Sequence, residues 1–324
     1  MNDELSRTLS AAHGWHVAGH GVALATVIHT WGSSPRPVGS HMAVRDDGAF
    51  EGSVSSGCVE GDVIAEALDV IRTGRFRQLD YGVDDETAWR VGLPCGGRIS
   101  VIVQPVGQDG FPADLLAEVN DARGQRRRIT LSTDLDGGRT RAGTADGLFC
   151  RRYDPPPRLI IIGAVNIAQA LLPMARLAGH ETILIDPRDA FGSTVRFPGE
   201  SVDNRWPDEV LAETGVDEAT AIVTLTHDMK IDDPALVCAL RSSAYYIGAL
   251  GSRRTQAARR ARLAEAGFTP EDMGRIHGPV GLDIGGITPA EIAISILAEM
   301  TAAWRGRLPL IARQQETAPA SAAA

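Results

Sequence analysis

The sequence of 324 residues contains a single lysine, Lys230, and only 5% of its residues are aromatic. Acidic residues outnumber basic ones, which gives a net charge of -9 and a pI near 5.4. Nucleic acids and anionic membranes are bound by basic surfaces, so this balance argues against both as partners. The shortage of lysine, beside many alanines, reflects compositional bias and carries no functional weight.

Long apolar runs are also missing, since no stretch approaches the roughly 18 apolar residues that a membrane helix needs. The first residues, Met1 to Glu4, are acidic, so we expect no secretory signal and a cytoplasmic location. The four cysteines lack the paired close spacing of a structural zinc site. Most single cysteines are buried and inert, and this is the interpretation we favour for Cys150 and Cys238.

Proline marks the domain boundary, because residues 154–157 read Asp-Pro-Pro-Pro and such a run forms a stiff, extended connector. We therefore predict four segments. They are an N-terminal domain over 1–110, an intermediate segment with the linker over 111–157, a second domain over 158–304, and a disordered tail over 305–324.

The first half has the pattern of an α+β domain. Strands are predicted over 22–30, 42–45, 50–54 and 99–103, and Asp46-Asp47-Gly48 is a hairpin signal between the second and third of these. Apolar residues at helical spacing predict one clear helix over 61–72 that stops at Gly74. A short helix over 115–119 followed by polar strands is predicted beyond it.

The second half alternates short apolar strands with amphipathic helices, which is typical of a parallel sheet covered on both faces. The last helix is predicted to begin at a capping box, Thr288 to Glu291, and to run to about Trp304. The predicted fold class is therefore α/β overall, an N-terminal α+β domain followed by a Rossmann-like, doubly wound domain.

The first βα turn of that domain departs from a dinucleotide-binding fingerprint, Gly-x-Gly-x-x-Gly/Ala. Gly163 and Ala168 occupy the outer positions, but Val165 stands where the middle glycine would approach a pyrophosphate. Asp186 stands where an acid would bind ribose, and His227 follows a strand at the edge where such sheets bind ligands. We favour a fold kept for architecture over nicotinamide binding, so NAD(P) is not the expected cofactor.

Two cysteines of the first half lie in glycine-rich turns, residues 55–61 (Ser-Ser-Gly-Cys-Val-Glu-Gly) and 92–97 (Gly-Leu-Pro-Cys-Gly-Gly). Glycine is used where the backbone turns sharply or approaches a ligand closely. Thiolate sulfur is a ligand for soft metals. The two turns predict a ligand site built around Cys58 and Cys95.

These motifs together resemble the XdhC/CoxI family, the molybdenum-cofactor accessory proteins of xanthine dehydrogenase-type hydroxylases. The resemblance rests on residues 32–39, 55–61 and 92–97, and in the second half on 186–188, 226–228, 246–254 and 281–300. Many relatives read Ser-Gly-Gly-Cys where this chain has Ser-Ser-Gly-Cys at 55–58. Many also read Gly-Ala-Gly-His where this chain has Gly-Ala-Val-Asn at 163–166.

The resemblance implies a dimeric chaperone, rather than an enzyme, that binds the molybdenum cofactor. It would help the cofactor to receive a sulfido ligand from a cysteine desulfurase and deliver it to an apo-molybdenum hydroxylase. Cys58 and Cys95 are the expected metal or sulfur contacts. The other expected cofactor-binding residues surround them or lie in the Rossmann turn region: Ser34, Arg36, Gly57, Glu60, Gly61, Gly96, Gly97, Gly163, Asp186 and His227.

Two alternatives remain open at this point. One is a nucleotide-dependent oxidoreductase that uses Asp186 and His227, which Val165 disfavours. The other is a scaffold that docks partner proteins without a cofactor, which would have no need of two thiols in glycine turns.

Overall fold

The computed structural model describes residues 3–32, 36–82 and 97–308. Within the chain the contacts separate two compact units, Met1–Pro156 and Pro157–Ala324. Cys95, Gly96, Ser34 and most of the predicted tail therefore lie outside the described residues. In the described part no helix has the length and apolar character that a membrane span requires.

Unit 1 is built on a five-stranded antiparallel sheet with the order β3-β2-β1-β5-β4. The helices and strands of the unit are α1 Glu4–Val17, β1 Val22–Trp31, β2 His41–Arg45, β3 Phe50–Gly52, α2 Glu60–Thr73, β4 Arg77–Tyr81, β5 Arg98–Pro105, α3 Ala113–Gly124, β6 Ile129–Asp134, β7 Arg139–Ala142 and β8 Phe149–Tyr153. The last three strands form a separate sheet with the order β7-β6-β8.

The first six residues of the central strand β1, Val22–Val27, are buried on both faces, and all of them except Thr26 are apolar. Ala23 and Ala25 pack with the α2 residues Val63 and Ala67. Val22 and Leu24 point the other way and pack with residues of α1 and α3, such as Leu9 and Leu116. Burial of one such aliphatic side chain contributes about 1.5–3 kcal/mol. The sheet is therefore held between α2 on one face and α1 with α3 on the other.

Unit 2 is a six-stranded parallel sheet with the order β11-β10-β9-β12-β13-β14. Its helices and strands are β9 Arg158–Ile162, α4 Asn166–Leu177, β10 Glu181–Ile185, β11 Val202–Asp203, α5 Pro207–Thr214, β12 Thr220–Thr224, α6 Met229–Leu240, β13 Tyr246–Ala249, α7 Arg253–Glu265, α8 Pro270–Met273, β14 Ile276–His277 and α9 Pro289–Trp304. Numbered within the unit, this order is 3-2-1-4-5-6, that of a doubly wound dinucleotide-binding fold.

The first strand of unit 2 separates two cores, which explains its run of five buried residues. Leu159 and Ile161 pack beneath α4 and α9, whereas Ile160 and Ile162 pack beneath α5, α6 and α7. A parallel sheet covered by helices on both faces requires such uninterrupted apolar strands. The predicted fold class is confirmed.

Most predicted elements of unit 1 are present, including the hairpin of β2 and β3 and the helix α2 that ends at a left-handed Gly74. One helix is absent from the prediction: α1, capped by the Asp3 side chain. Its buried face includes two hydroxyl residues, Ser6 and Thr8, so it lacks a continuous apolar stripe. Helix α3 is also longer than predicted.

A candidate site at the Cys58 loop

Several of the predicted site segments meet at one end of the unit 1 sheet. Strand β1 ends at Trp31, which pairs with Arg98 at the start of β5. Strand β4 ends at Tyr81, which pairs with the next β5 residue, Ile99. Gly97, which directly precedes β5, is buried at this end. The Tyr81 hydroxyl donates to Asp62 in the first turn of α2, 2.7 Å away, so α2 also begins here.

The loop between β3 and α2 carries Cys58 to the start of that helix. The Ser55 hydroxyl accepts hydrogen bonds from the backbone N–H groups of Cys58 and Val59, at 3.0 and 2.9 Å. Ser55 therefore holds the backbone of the two residues that lead into α2, a helix whose N-cap, Val59, has no side-chain capping bond. Cys58 is half-buried, with part of its side chain packed against the unit 1 core.

The Glu60 carboxylate organises this loop by accepting five hydrogen bonds. Oε1 accepts from the Ser53 hydroxyl and from the N–H groups of Val54 and Ser55, at 2.6, 3.2 and 2.8 Å. Oε2 accepts from the Ser55 hydroxyl and the Gly57 N–H, at 2.5 and 2.7 Å. Burial alone would raise the pKa of Glu60, but the hydrogen bonds outweigh it and lower the pKa to about 2. The carboxylate is therefore an internal anchor of the loop.

The outer side of the loop is open. Ser56 and Gly57 are both exposed and have positive φ values, +63° and +114°. A Cβ added at Gly57 would meet no atom within 4 Å, so the space above it is free within the described structure. Gly61, in the first turn of α2, is exposed as well. A molecule that approaches this loop can reach close to its backbone.

Arg36 connects the preceding loop to the same place. Its Nε donates to the Ser53 carbonyl at 3.2 Å, and its Nη2 donates to the Glu4 carboxylate. The guanidinium thus ties the segment after β1 to the Cys58 loop and to α1.

The remaining described cysteines are Cys150, on β8 of unit 1, and Cys238, in α6 of unit 2. Cys150 is exposed on β8, so the expectation that its thiol is buried is wrong: its strand is at the edge of the three-stranded sheet. Cys238 is half-buried in α6, and burial raises its pKa. Among the described residues there is no group of three His, Cys, Asp or Glu side chains that could hold a metal ion by itself.

In unit 2, Asp186, the acid predicted to bind ribose, is hydrogen bonded to residues of the protein itself. Asp186 is fully buried and accepts from the Ala164 N–H at 2.7 Å. Arg188 covers it, with its Nε and Nη2 donating to the two carboxylate oxygens at 2.8 and 2.7 Å. Burial would raise the pKa of Asp186, but these donors lower it. The carboxylate therefore fastens the first βα turn.

A cleft of about 330 Å³ lies at the carboxyl edge of this sheet, between the ends of β9 and β12. Strand order reverses at this point, which is where such sheets bind ligands. The exposed His227, with φ +61°, lines the cleft together with Val165, Asn166, Phe191 and Arg196. Gly163, in the turn after β9, approaches the segment after β12 closely, since a Cβ there would come within 2.8 Å of the Thr226 methyl group.

Comparison with known proteins covers both units. Residues 15–82 match the model of the XdhC and CoxI family, and residues 159–300 match the model of the XdhC Rossmann domain. The Escherichia coli (strain K12) protein named molybdenum cofactor insertion chaperone PaoD is 32% identical over 292 residues, which cover 88% of this chain and 84% of that protein.

The chain belongs to the XdhC and CoxI family.

Two further similarities cover most of this XdhC/CoxI protein. A Bacillus subtilis (strain 168) protein, named as a probable subunit of xanthine dehydrogenase, is 27% identical over 86% of this chain and 91% of its own. A crystal structure described as a xanthine dehydrogenase from Bacillus halodurans matches 98% of each chain, with a TM-score of 0.76 and 26% identity.

Besides Arg188, a second arginine, Arg196, contacts the first βα turn of unit 2 in this XdhC/CoxI protein, and the sequence patterns do not indicate it. Arg196 donates to the carbonyls of Ala164 and Phe191, at 2.7 and 2.8 Å, and to the Asn166 side chain at 3.0 Å. Arg196 therefore ties the β10–β11 connection to the first βα turn. No local motif indicates this contact, because Arg196 is 30 residues from Asn166.

Proposed function

We propose that this protein is a molybdenum cofactor insertion chaperone for a xanthine dehydrogenase-type hydroxylase. The observation that carries the proposal is the Cys58 loop, which holds a half-buried thiol at a helix start under an open, glycine-lined surface. Membership of the XdhC and CoxI family and the likeness to PaoD support it.

The residues of the loop fit such a cargo. A thiolate is a suitable donor for a soft metal, and the cofactor would bring molybdenum with its dithiolene ligand. Gly57 and Gly61 leave room for close approach, and Glu60 acts indirectly by holding the loop in shape. We propose Cys95 as a second sulfur contact, with Gly96 and Gly97 beside it, and Ser34 and Arg36 on the side of the cofactor phosphate.

Unit 2 has a different role in this proposal. The burial of Asp186 beneath Arg188 and the side chain of Val165 at the middle fingerprint position support a role without dinucleotide binding. We propose that Gly163 and Asp186 preserve the turn, that His227 faces the cleft, and that NAD(P) is not a cofactor.

The partners proposed are an apo-molybdenum hydroxylase, which receives the cofactor, and a cysteine desulfurase, which sulfurates it before delivery. A homodimer in the cytoplasm is the proposed form of the protein. The sulfur chemistry belongs to the desulfurase, and this chain holds and shields the cargo.

The test is a comparison of two thiol variants in unit 1. The apo protein, Cys58→Ala and the matched exposed-thiol control Cys150→Ala are each titrated with released cofactor, with bound pterin measured by fluorescence after oxidation. We expect micromolar or tighter binding by the wild type and the control. Cys58→Ala should bind at least about tenfold more weakly, the equivalent of one lost charge-assisted contact.

Each other result has a definite meaning. Equal binding by the wild type and Cys58→Ala overturns the role of Cys58. Saturable binding of NADH without pterin would favour the oxidoreductase, and binding of neither ligand would favour the scaffold.

A further inference from the structure

Among the described arginines that are not exposed, Arg151, on β8 of unit 1, differs from the others in lacking an acceptor. Its side chain is half-buried, its Nε is buried, and within the described residues no hydrogen bond or ion pair reaches its guanidinium. Its neighbours differ, because Arg128 and Arg152 both pair with Asp154, at 2.7 and 3.0 Å. Burial lowers the pKa of Arg151, as expected for a cation without an acceptor in contact.

The floor beneath this guanidinium is packed and neutral. Its Cζ lies 5.2 Å from the centre of the Tyr153 ring. The buried Tyr153 hydroxyl lies 2.9 Å from His41 Nε2, and His41 Nδ1 lies 2.9 Å from the Thr26 hydroxyl. Burial, with a contribution from Arg151, lowers the pKa of His41 to about 3, so His41 is neutral. None of these three side chains supplies a negative charge.

Gly39 allows the guanidinium to lie where it does. The residue is buried with φ +84°, and a Cβ there would fall 2.3 Å from Arg151 Nε. Any side chain at position 39 would displace the Arg151 guanidinium. Glycine at this position therefore allows the guanidinium to contact the loop backbone.

The unpaired cation is connected to the Cys58 loop. Gly39 belongs to the segment that begins at Arg36, whose Nε donates to the Ser53 carbonyl. The Ser53 N–H in turn donates to the His41 carbonyl at 3.1 Å. The Ser53 hydroxyl also donates to Glu60, so the segment under Arg151 and the loop that carries Cys58 share one hydrogen-bonded frame.

We propose that Arg151 is an anion-binding residue that receives a phosphate monoester over Gly39. A guanidinium presents a planar fork of donors that matches phosphate oxygens, and such pairs are strong when partly shielded from water. The inference rests on the proposed function in one respect, since it takes the phosphate to be that of the pterin cofactor bound at Cys58.

The experiment uses inorganic phosphate as the probe and Arg152→Gln as the matched control. This control removes the same charge from the adjacent residue of β8, which already has an acidic partner. Calorimetric titration in chloride buffer should show saturable phosphate binding by the wild type and by Arg152→Gln. Arg151→Gln should weaken it at least about tenfold, and Arg151→Lys should restore only part, because an ammonium lacks the fork.

Circular dichroism shows whether each variant is folded. If Arg151→Gln does not fold, the comparison of Arg151→Lys with the wild type still tests the proposal. Equal phosphate affinity in the wild type and a folded Arg151→Gln, or no binding by the wild type, would overturn the proposal.

Cofactor titrations then distinguish the proposed anion site at Arg151 from the proposed function of the protein as a cofactor chaperone. Cys58→Ala should lose cofactor but keep its affinity for inorganic phosphate. If the wild type binds phosphate through Arg151 but no cofactor, the proposed function fails and the anion site stands. If Arg151→Gln binds the cofactor as tightly as the wild type, Arg151 is not its phosphate contact.

Discussion

The Glu60 carboxylate and the Ser55 hydroxyl are hydrogen bonded at 2.5 Å, and the same hydroxyl accepts from the N–H of Cys58. Ser55 therefore links the Glu60 carboxylate, at the start of α2, to the backbone of Cys58. The shape of the loop depends on this relay, so changes at Glu60 are expected to act on the loop before they act on any ligand.

Glu60→Gln should destabilise unit 1. An amide replaces one of the two acceptor oxygens by a donor, which leaves at least two of the five donors facing an NH₂ group. Loss of buried hydrogen bonds to a charged acceptor costs about 1.5–3 kcal/mol each, part of which relaxation recovers. We expect a loss of about 2–4 kcal/mol in urea unfolding. Glu118→Gln, at an exposed position of α3, should stay within about 0.5 kcal/mol.

Glu60 should also confer a pH dependence that the glutamine variant lacks. Its pKa is lowered from 4.5 to about 2 in the folded protein, so the ionised carboxylate stabilises the fold fully above 4.5. As the pH falls from 4.5 towards about 2, the carboxylate becomes protonated and this stabilisation is lost. The difference in free energy of unfolding between wild type and Glu60→Gln should therefore be constant near neutral pH and shrink below 4.5. A difference that grows on acidification would contradict this assignment.

Ser56 stores backbone strain beside the thiol. Its φ of +63° lies in the left-handed region, which costs a residue other than glycine on the order of 1 kcal/mol. Its N–H bond to the Ser53 hydroxyl, at 2.8 Å, does not need its own side chain. Ser56→Gly should therefore be neutral to about 0.5 kcal/mol stabilising, because relief of strain exceeds the added freedom of the unfolded chain.

The matched comparison is Ser56→Val, whose branched side chain is poorly tolerated at positive φ and should cost about 1–2 kcal/mol. Urea unfolding of both variants measures the contrast. Equal stability of the two would mean that the loop is not held in this conformation in solution.

The sequence predicts most strands, the cap of the last helix and the location of the thiol loop, because each depends on local patterns. The apolar run 159–162, followed by alternating helices and strands, indicates a buried strand of a covered sheet, and the structure has one there. The helix start at Thr288 is likewise predicted from its capping box, and both capping bonds are present.

What the sequence does not reveal depends on contacts between distant residues or on donors that converge. A glutamate in the first turn of a helix is ordinarily a solvated charge, and only the folded loop turns Glu60 inward. The lack of an acceptor at Arg151 depends on the pairing of β8 and on its approach to Gly39, which is distant in sequence, so no local pattern could indicate it. Asp186 is expected at a strand end, yet its burial under Arg188 follows from the conformation of the next loop.

Asp186→Asn should destabilise unit 2 without creating a nicotinamide site. The substitution weakens the bond to the Ala164 N–H and leaves the Arg188 guanidinium without its carboxylate partner. Removal of one member of a buried ion pair costs about 3–5 kcal/mol, and somewhat less here because Arg188 is partly exposed. Asp189→Asn, at an exposed position, is the matched control and should be near neutral.

Thermal unfolding measures the stability of both variants, and NADH fluorescence titration should show no saturable binding by the wild type or either variant. An unchanged melting temperature in Asp186→Asn would show that this carboxylate does not fasten the turn, and saturable NADH binding by the wild type would show that the Arg188 side chain does not close the ribose position.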